Sequence, residues 1–247
     1  MHSWRTTRAV CIVLLLLPLI HVAYLMSRDT LALLDASPQA WQAELDTYIA
    51  QDASAQLPEH PVVVIGGLRV TLWKGLEQAL APTPVLMRGL GDAIIEDLSH
   101  YYPRLVAFYR PSSVVLLPGN SEFLIRDNKS ATDLADALSA LLRIDAAQGF
   151  NQRFVIVSPL KTPGPGAHNA TIDEAMPLLE HIASREARVT LLDANALLAG
   201  SDGEPDPGLF RGDGIHLNER GYLRLTLQLR HHLQGHTAPG KSLTAQR

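Results

Sequence analysis

The chain has almost nothing with which to cross-link itself: its 247 residues include one cysteine, Cys11, so no intramolecular disulfide can form. Aromatic residues make up 6%, and the lysines and arginines are scattered without a run or an aromatic-interleaved basic patch, which removes nucleic acid as a partner. The histidines near the C-terminus, His231, His232 and His236, are too adjacent to form a good cage, so no metal and no cofactor is implied. Internal repeats are missing too. With 47% hydrophobic residues and a net charge of −4, the part beyond the N-terminal segment suits a single domain with a sizeable core.

One long apolar run is present, from Ala9 to Met26, preceded by Arg5 and Arg8 and interrupted only by Pro18 and His21. It has about the length of a bilayer span, and the paired arginines keep its N-terminal end in the cytoplasm. In a bacterial cell this sends the remainder to the extracytoplasmic, periplasmic side. Val22 to Ser27 lacks small residues at both positions of an A-x-A-like cleavage site, which favours an uncleaved anchor over a signal peptide. Cys11 starts the run rather than following it, which argues against a lipoprotein site. The expected organisation is an anchor over 1–28, a juxtamembrane helix and linker over 29–60, a folded domain over 61–234 and a disordered tail over 235–247.

Within the juxtamembrane part, Ser37-Pro38 reads as a helix start, and Trp41, Leu45, Tyr48 and Ile49 recur at helical spacing. Beyond the two prolines at 58 and 61, short apolar stretches alternate with helical ones. Val62–Ile65, Pro84–Met87, Ser113–Leu117, Arg153–Val157 and Arg188–Asp193 read as five strands. Helical patterns fall over Leu72–Leu80, Asp92–Leu98, Ala131–Ala147, Thr171–Arg185 and Asn218–Leu233. Continuous apolar strands alternating with helices predict an α/β fold with a five-stranded parallel sheet covered on both faces. Such sheets bind ligands beyond the carboxyl ends of their strands.

The most informative short motif is Asp213-Gly214-Ile215-His216-Leu217-Asn218, on a loop entering the last helix. One turn can aim the Asp213 carboxylate at the His216 imidazole, fixing its tautomer and stabilising the imidazolium formed when it takes a proton. Upstream stand Gly66-Gly67-Leu68 with Trp73, then Arg88-Gly89-Leu90-Gly91-Asp92, then Leu117-Pro118-Gly119-Asn120-Ser121-Glu122. This ordered set, with Leu209-Phe210 and Gly221-Tyr222 flanking the last block, resembles the SGNH/GDSL hydrolase family of esterases and acylhydrolases from about Val62 to Leu233.

The resemblance implies a flavodoxin-like α/β/α sandwich and an activity on acyl or acetyl esters of lipid or polysaccharide. It implies Asp213 and His216 as catalytic acid and base, and Gly89 as an oxyanion-hole donor. Two positions depart from the family pattern. Leu68 stands where the nucleophilic serine belongs, and Ser121 stands where the oxyanion-hole asparagine belongs, with Asn120 one residue early.

Leucine has nothing to deprotonate, so acyl-enzyme chemistry at position 68 is blocked, and loss of a triad nucleophile leaves only residual catalysis. Three other routes remain open at this point. Thr71 can serve as a displaced nucleophile, Ser121 or Ser158 can meet His216 from neighbouring strand ends, or His216 can activate water directly. The Pro/Gly loop after the fourth strand carries Lys161 and His168, which either contact a ligand or belong to a stiff connection. Two classes of function follow: an impaired ester hydrolase, or a non-catalytic relative that binds a glycan, lipid or protein partner in its cleft.

Overall fold

The computed structural model describes residues 37–124, 128–150, 152–163 and 168–235, together with residues 4, 8, 11, 12, 14–22 and 24. Five strands, β1 (Val62–Gly66), β2 (Val85–Gly89), β3 (Ser113–Leu117), β4 (Arg153–Val157) and β5 (Val189–Leu192), form one sheet in the order β2-β1-β3-β4-β5. Every neighbouring pair is parallel, with Val62 opposite both Val85 and Ser113. The expected α/β sheet is therefore the one observed.

Strand residues alternate between two cores. Val63, Ile65, Val114, Leu116, Phe154 and Ile156 face α1 (Gln42–Ser54), α4 (Ile95–Leu105), α5 (Ala131–Ala147) and α6 (His168–Arg185). Val62, Val64, Val115, Leu117, Val155 and Val157 face the opposite layer, built by α2 (Leu68–Leu72), α3 (Leu76–Ala79), α7 (Asn195–Leu198) and α8 (Glu219–Gly235). Both faces being covered explains why the strands read as unbroken apolar runs rather than as alternating ones.

Local chemistry sets the helix limits. Ser130 Oγ accepts from the Asp133 amide while Asp133 reaches back to the Ser130 amide, a capping box that starts α5 at the expected residue. Asn218 Oδ1 accepts from the amides of Arg220 and Gly221 and so caps α8. The expected helix over Leu72–Leu80 is instead two short ones, because Gly75 adopts φ +82°, a left-handed conformation that ends one turn before α3 begins. The helix expected over Asp92–Leu98 starts later and runs to Leu105, carrying Pro103 within it.

The juxtamembrane helix packs on the sheet domain. Helix α1 is part of the folded unit: Leu45 is buried in the first core, and Tyr48 donates to the Gly89 carbonyl at 2.7 Å. Asp52 joins Arg88 (2.7 Å), Arg104 (2.9 Å) and Tyr109 (2.5 Å) in a buried cluster against β2. These contacts lie 36 to 57 residues away in sequence, beyond the reach of local periodicity.

Of the proposed span, residues 11, 12, 14–22 and 24 are helical, with Leu14, Leu15, Leu17, Leu19 and Ile20 all exposed. Among the described residues no helix is long and apolar enough to cross a membrane. The rest of 1–36 and the tail from 236 onward lie outside the described residues.

Candidate functional site

In the strand order, β1 has β2 on one side and β3 on the other, so the chain's direction of winding reverses there. Loops leaving β1 and β3 diverge at such a point and open a crevice at the carboxyl end of the sheet. The first and third sequence blocks lie on these loops, the second follows β2, and the fourth immediately precedes α8.

Close backbone packing gathers them. A Cβ on Gly66, at φ +156°, would sit 2.3 Å from the Leu117 carbonyl oxygen, so the end of β1 presses directly on the end of β3. A Cβ on Gly67 would lie 3.0 Å from the Gly91 oxygen and 3.1 Å from that of Ala93. Only glycines allow the first, second and third blocks to meet this tightly. Leu68 then opens α2 as a half-buried side chain. The fourth block reaches the first through its neighbours: Arg69 Nη2 lies 3.4 Å from the Ile215 oxygen, and Tyr222 Oη donates to the Arg69 carbonyl at 2.8 Å.

The Asp213–His216 pair is formed as expected. His216 Nδ1 lies 2.8 Å from Asp213 Oδ2, and Asp213 Oδ1 accepts from the amides of Ile215 (2.8 Å) and His216 (2.9 Å). These two amides and the imidazole hold the Asp213 carboxyl well below the usual carboxylate range. With Nδ1 oriented by the carboxylate, Nε2 is the nitrogen left to accept or deliver a proton. No hydroxyl is hydrogen-bonded to it among the described residues.

The hydroxyls of the three substitute nucleophiles make other contacts. Thr71 Oγ1 would be 2.6 Å from a Cβ on Gly89, so its hydroxyl packs on β2. Ser158 is fully buried, and its Oγ accepts from the Ala194 amide (2.9 Å) and from Asn195 Nδ2 (3.3 Å), anchoring the turn into α7. Ser121 is buried with its Oγ 3.4 Å from Asp92 Oδ1. Asn120 is half-buried at the head of the short helical turn Asn120–Phe123, and its side chain makes no hydrogen bond among the described residues.

Gly89 is the last residue of β2. The next residue, Leu90, donates its amide to Gly66 on β1 at 2.9 Å, and strand alternation turns the Gly89 peptide groups to the opposite, free edge of the sheet. There its carbonyl receives the Tyr48 hydroxyl. The next glycine amide, that of Gly91, is already engaged by Glu44 Oε2 of α1 at 2.8 Å. Glu44 and Arg69 are the two residues at this site that sequence patterns missed. A buried Arg69 announces itself in the sequence only as a lone charge inside the apolar stretch Gly67–Leu72.

Two further candidates settle into structural positions. Lys161 pairs with Asp173, and His168 stacks on Phe123 with ring centroids 5.7 Å apart, so both brace the loop between β4 and α6. Among the described residues no group of three or more His, Cys, Asp or Glu side chains is placed to hold a metal ion.

No known family profile and no curated protein sequence matches this chain. Solved structures do match. A GDSL-like lipase from Bacteroides thetaiotaomicron superposes with a TM-score of 0.66 at 15% identity, over 78% of this chain and 98% of the lipase. The lipase/acylhydrolase from Enterococcus faecalis gives 0.59 at 15% identity over 74% and 100%. A carbohydrate esterase family 3 structure from Talaromyces cellulolyticus gives 0.55 at 14% identity over 70% and 97%. The fold is thus that of the SGNH/GDSL hydrolases, as the order of the sequence blocks implies.

Proposed function

We propose that this chain is a membrane-anchored, extracytoplasmic protein that keeps the ester-recognising crevice of an SGNH/GDSL hydrolase but has lost acyl-enzyme turnover. The observation that carries the reading is a hydrocarbon, Leu68, at the head of α2, next to the Arg69 that reaches the Ile215 loop, while the Asp213–His216 pair on that loop is fully formed with no hydroxyl bonded to the imidazole among the described residues. Ser attack requires an O–H from which His216 can take a proton, and Leu68 offers none. Oxyanion stabilisation is weakened as well. Each missing donor is worth about 3 kcal/mol at the transition state, and here Ser121 replaces an amide while Glu44 occupies the Gly91 N–H. The ligand class is an acyl or acetyl ester of lipid or polysaccharide, bound rather than cleaved. Anchoring through residues 9–26 is supported by the length of that apolar run, the flanking Arg5 and Arg8, and the exposed helical leucines within it.

A surviving Asp213–His216 pair favours one second reading, slow hydrolysis by His216-activated water with no covalent step. Both are decided with the full chain in detergent, assayed on aryl acetates beside His216→Ala. The expected result is no burst, no labelling by a serine-directed fluorophosphonate, and turnover indistinguishable between the two proteins. Turnover abolished by His216→Ala without labelling establishes the water route. Labelling mapped to a hydroxyl near His216 overturns the proposal.

A further inference from the structure

Among the described residues Arg69 is a cation with no anion. The residue is 2% exposed, and among the described residues its Nε is enclosed without a hydrogen-bond partner and its side chain makes one contact, the long 3.4 Å approach of Nη2 to the neutral Ile215 carbonyl. No carboxylate pairs with it among the described residues, and Asp213, the acid on the adjoining loop, has both oxygens committed to Ile215 and His216. Burial pushes the guanidinium down to about 10, still far above any physiological pH, so the group is charged as it sits. Charges removed from water are ordinarily paired, because a neutral carbonyl does not offset the lost hydration. If Arg69 served only to hold the Ile215 loop, a neutral donor would do so without that penalty.

Its position says what a partner would be. Arg69 directly follows Leu68 and touches the residue before His216, so it stands between the two halves of the catalytic-type site. Among the described residues Nη1 carries no bond, and unlike Nε it is not sealed from solvent, so it is the end of the fork left to take a partner. Tyr222, which donates to the Arg69 carbonyl, lines a neighbouring groove between α2, α3 and α8 with Lys74 and Arg211, where among the described residues Glu219 is the one acid.

We infer that Arg69 is the anion-recognition residue of this crevice, receiving at its Nη1 end a carboxylate or phosphate group carried by the bound ligand. This deepens the proposed function by giving its ester ligand a negative charge close to the ester. Guanidinium groups suit such partners because their planar fork of donors matches two oxygens of the same group.

The test uses the full chain in detergent, titrated separately with acetate and with inorganic phosphate while chloride keeps ionic strength constant. The Arg69 Nε–H resonance in a ¹⁵N-correlation spectrum and the thermal midpoint are the readouts. The expected result is a saturable shift of that resonance and a matching stabilisation with at least one anion, weakened about 10- to 100-fold in Arg69→Met. Saturation by acetate alone indicates a carboxylate-bearing ligand, and by phosphate alone a phosphate-bearing one. An Arg69 resonance that neither anion moves overturns the inference, and so does an equal response in Arg69→Met. Should Arg69→Met fail to fold, the wild-type titration still decides. No ester enters this experiment, so its outcome is independent of whether His216 supports turnover.

Discussion

Replacing Asp52 by alanine should detach helix α1 and destabilise the whole folded unit. Asp52 accepts three charge-assisted or short hydrogen bonds, from Arg88, Arg104 and Tyr109. The two arginines do not weigh equally. Arg104 has a side chain 26% exposed and can turn back to water, while that of Arg88 is 8% exposed, held between the Tyr48 and Tyr109 rings at 4.8 Å from each. The loss is therefore dominated by one enclosed guanidinium without a counter-charge, worth about 3–5 kcal/mol. At a urea dependence of about 2–3 kcal/mol per M, the unfolding midpoint should fall by roughly 1–2 M. Amide exchange at Gly91 should quicken in step, because Glu44 on the same helix occupies that N–H. A midpoint within about 0.3 M of wild type, or Gly91 exchange unchanged, refutes the reasoning.

Leu68→Ser should introduce fluorophosphonate labelling at position 68 that depends on His216, with weak hydrolysis of aryl acetates. Adding Ser121→Asn should raise that rate by about 10²–10³ if the amide reaches the oxyanion, measured as kcat. Glu122 is fully buried, accepting from the Ile95 amide and from Lys129, and desolvation pushes its carboxyl up to about 7. The folded state then binds a proton that the unfolded chain has already released, so stability should fall as pH rises from about 4.5 to 7. Urea midpoints across that window, flattened in Glu122→Gln, check the sign.

How much of this was legible follows from what local patterns can encode. Helix α5 begins where a Ser130/Asp133 box can be read directly, and the strands stand out because a sheet covered on both faces needs unbroken apolar runs. The break at Gly75 was not legible, since helical spacing across 72–80 carries no sign that one residue takes φ +82°. The site divides along the same line. Asp213 and His216, three residues apart, were readable as a pair, whereas Glu44 meets Gly91 across 47 residues and Arg69 meets Ile215 across 146. Gly89 was assigned from its place in a motif. The direction of its N–H depends on which strand lies beside it, and that is a property of the sheet order alone.

Part of the Asp213–His216 pair also holds its loop, which on the proposed reading lets the pair persist without a nucleophile. Arg211 donates its amide to the His216 carbonyl at 2.7 Å, Phe210 bridges to Leu217, and Asn218 Nδ2 ties back to the carbonyls of Gly208 and Phe210. Within that hairpin-like loop Asp213 supplies the acceptor for the two amides at its tip, which His216 does not. The two side chains should therefore separate on mutation. Asp213→Ala leaves two amides to water and should lower stability by about 1 kcal/mol, while His216→Ala, which removes a half-exposed ring from the surface, should stay within about 0.5 kcal/mol of wild type. Urea melts of both variants measure this directly. If instead His216→Ala is the more destabilising, the ring is structural in its own right, and its survival opposite Leu68 carries no memory of ester chemistry.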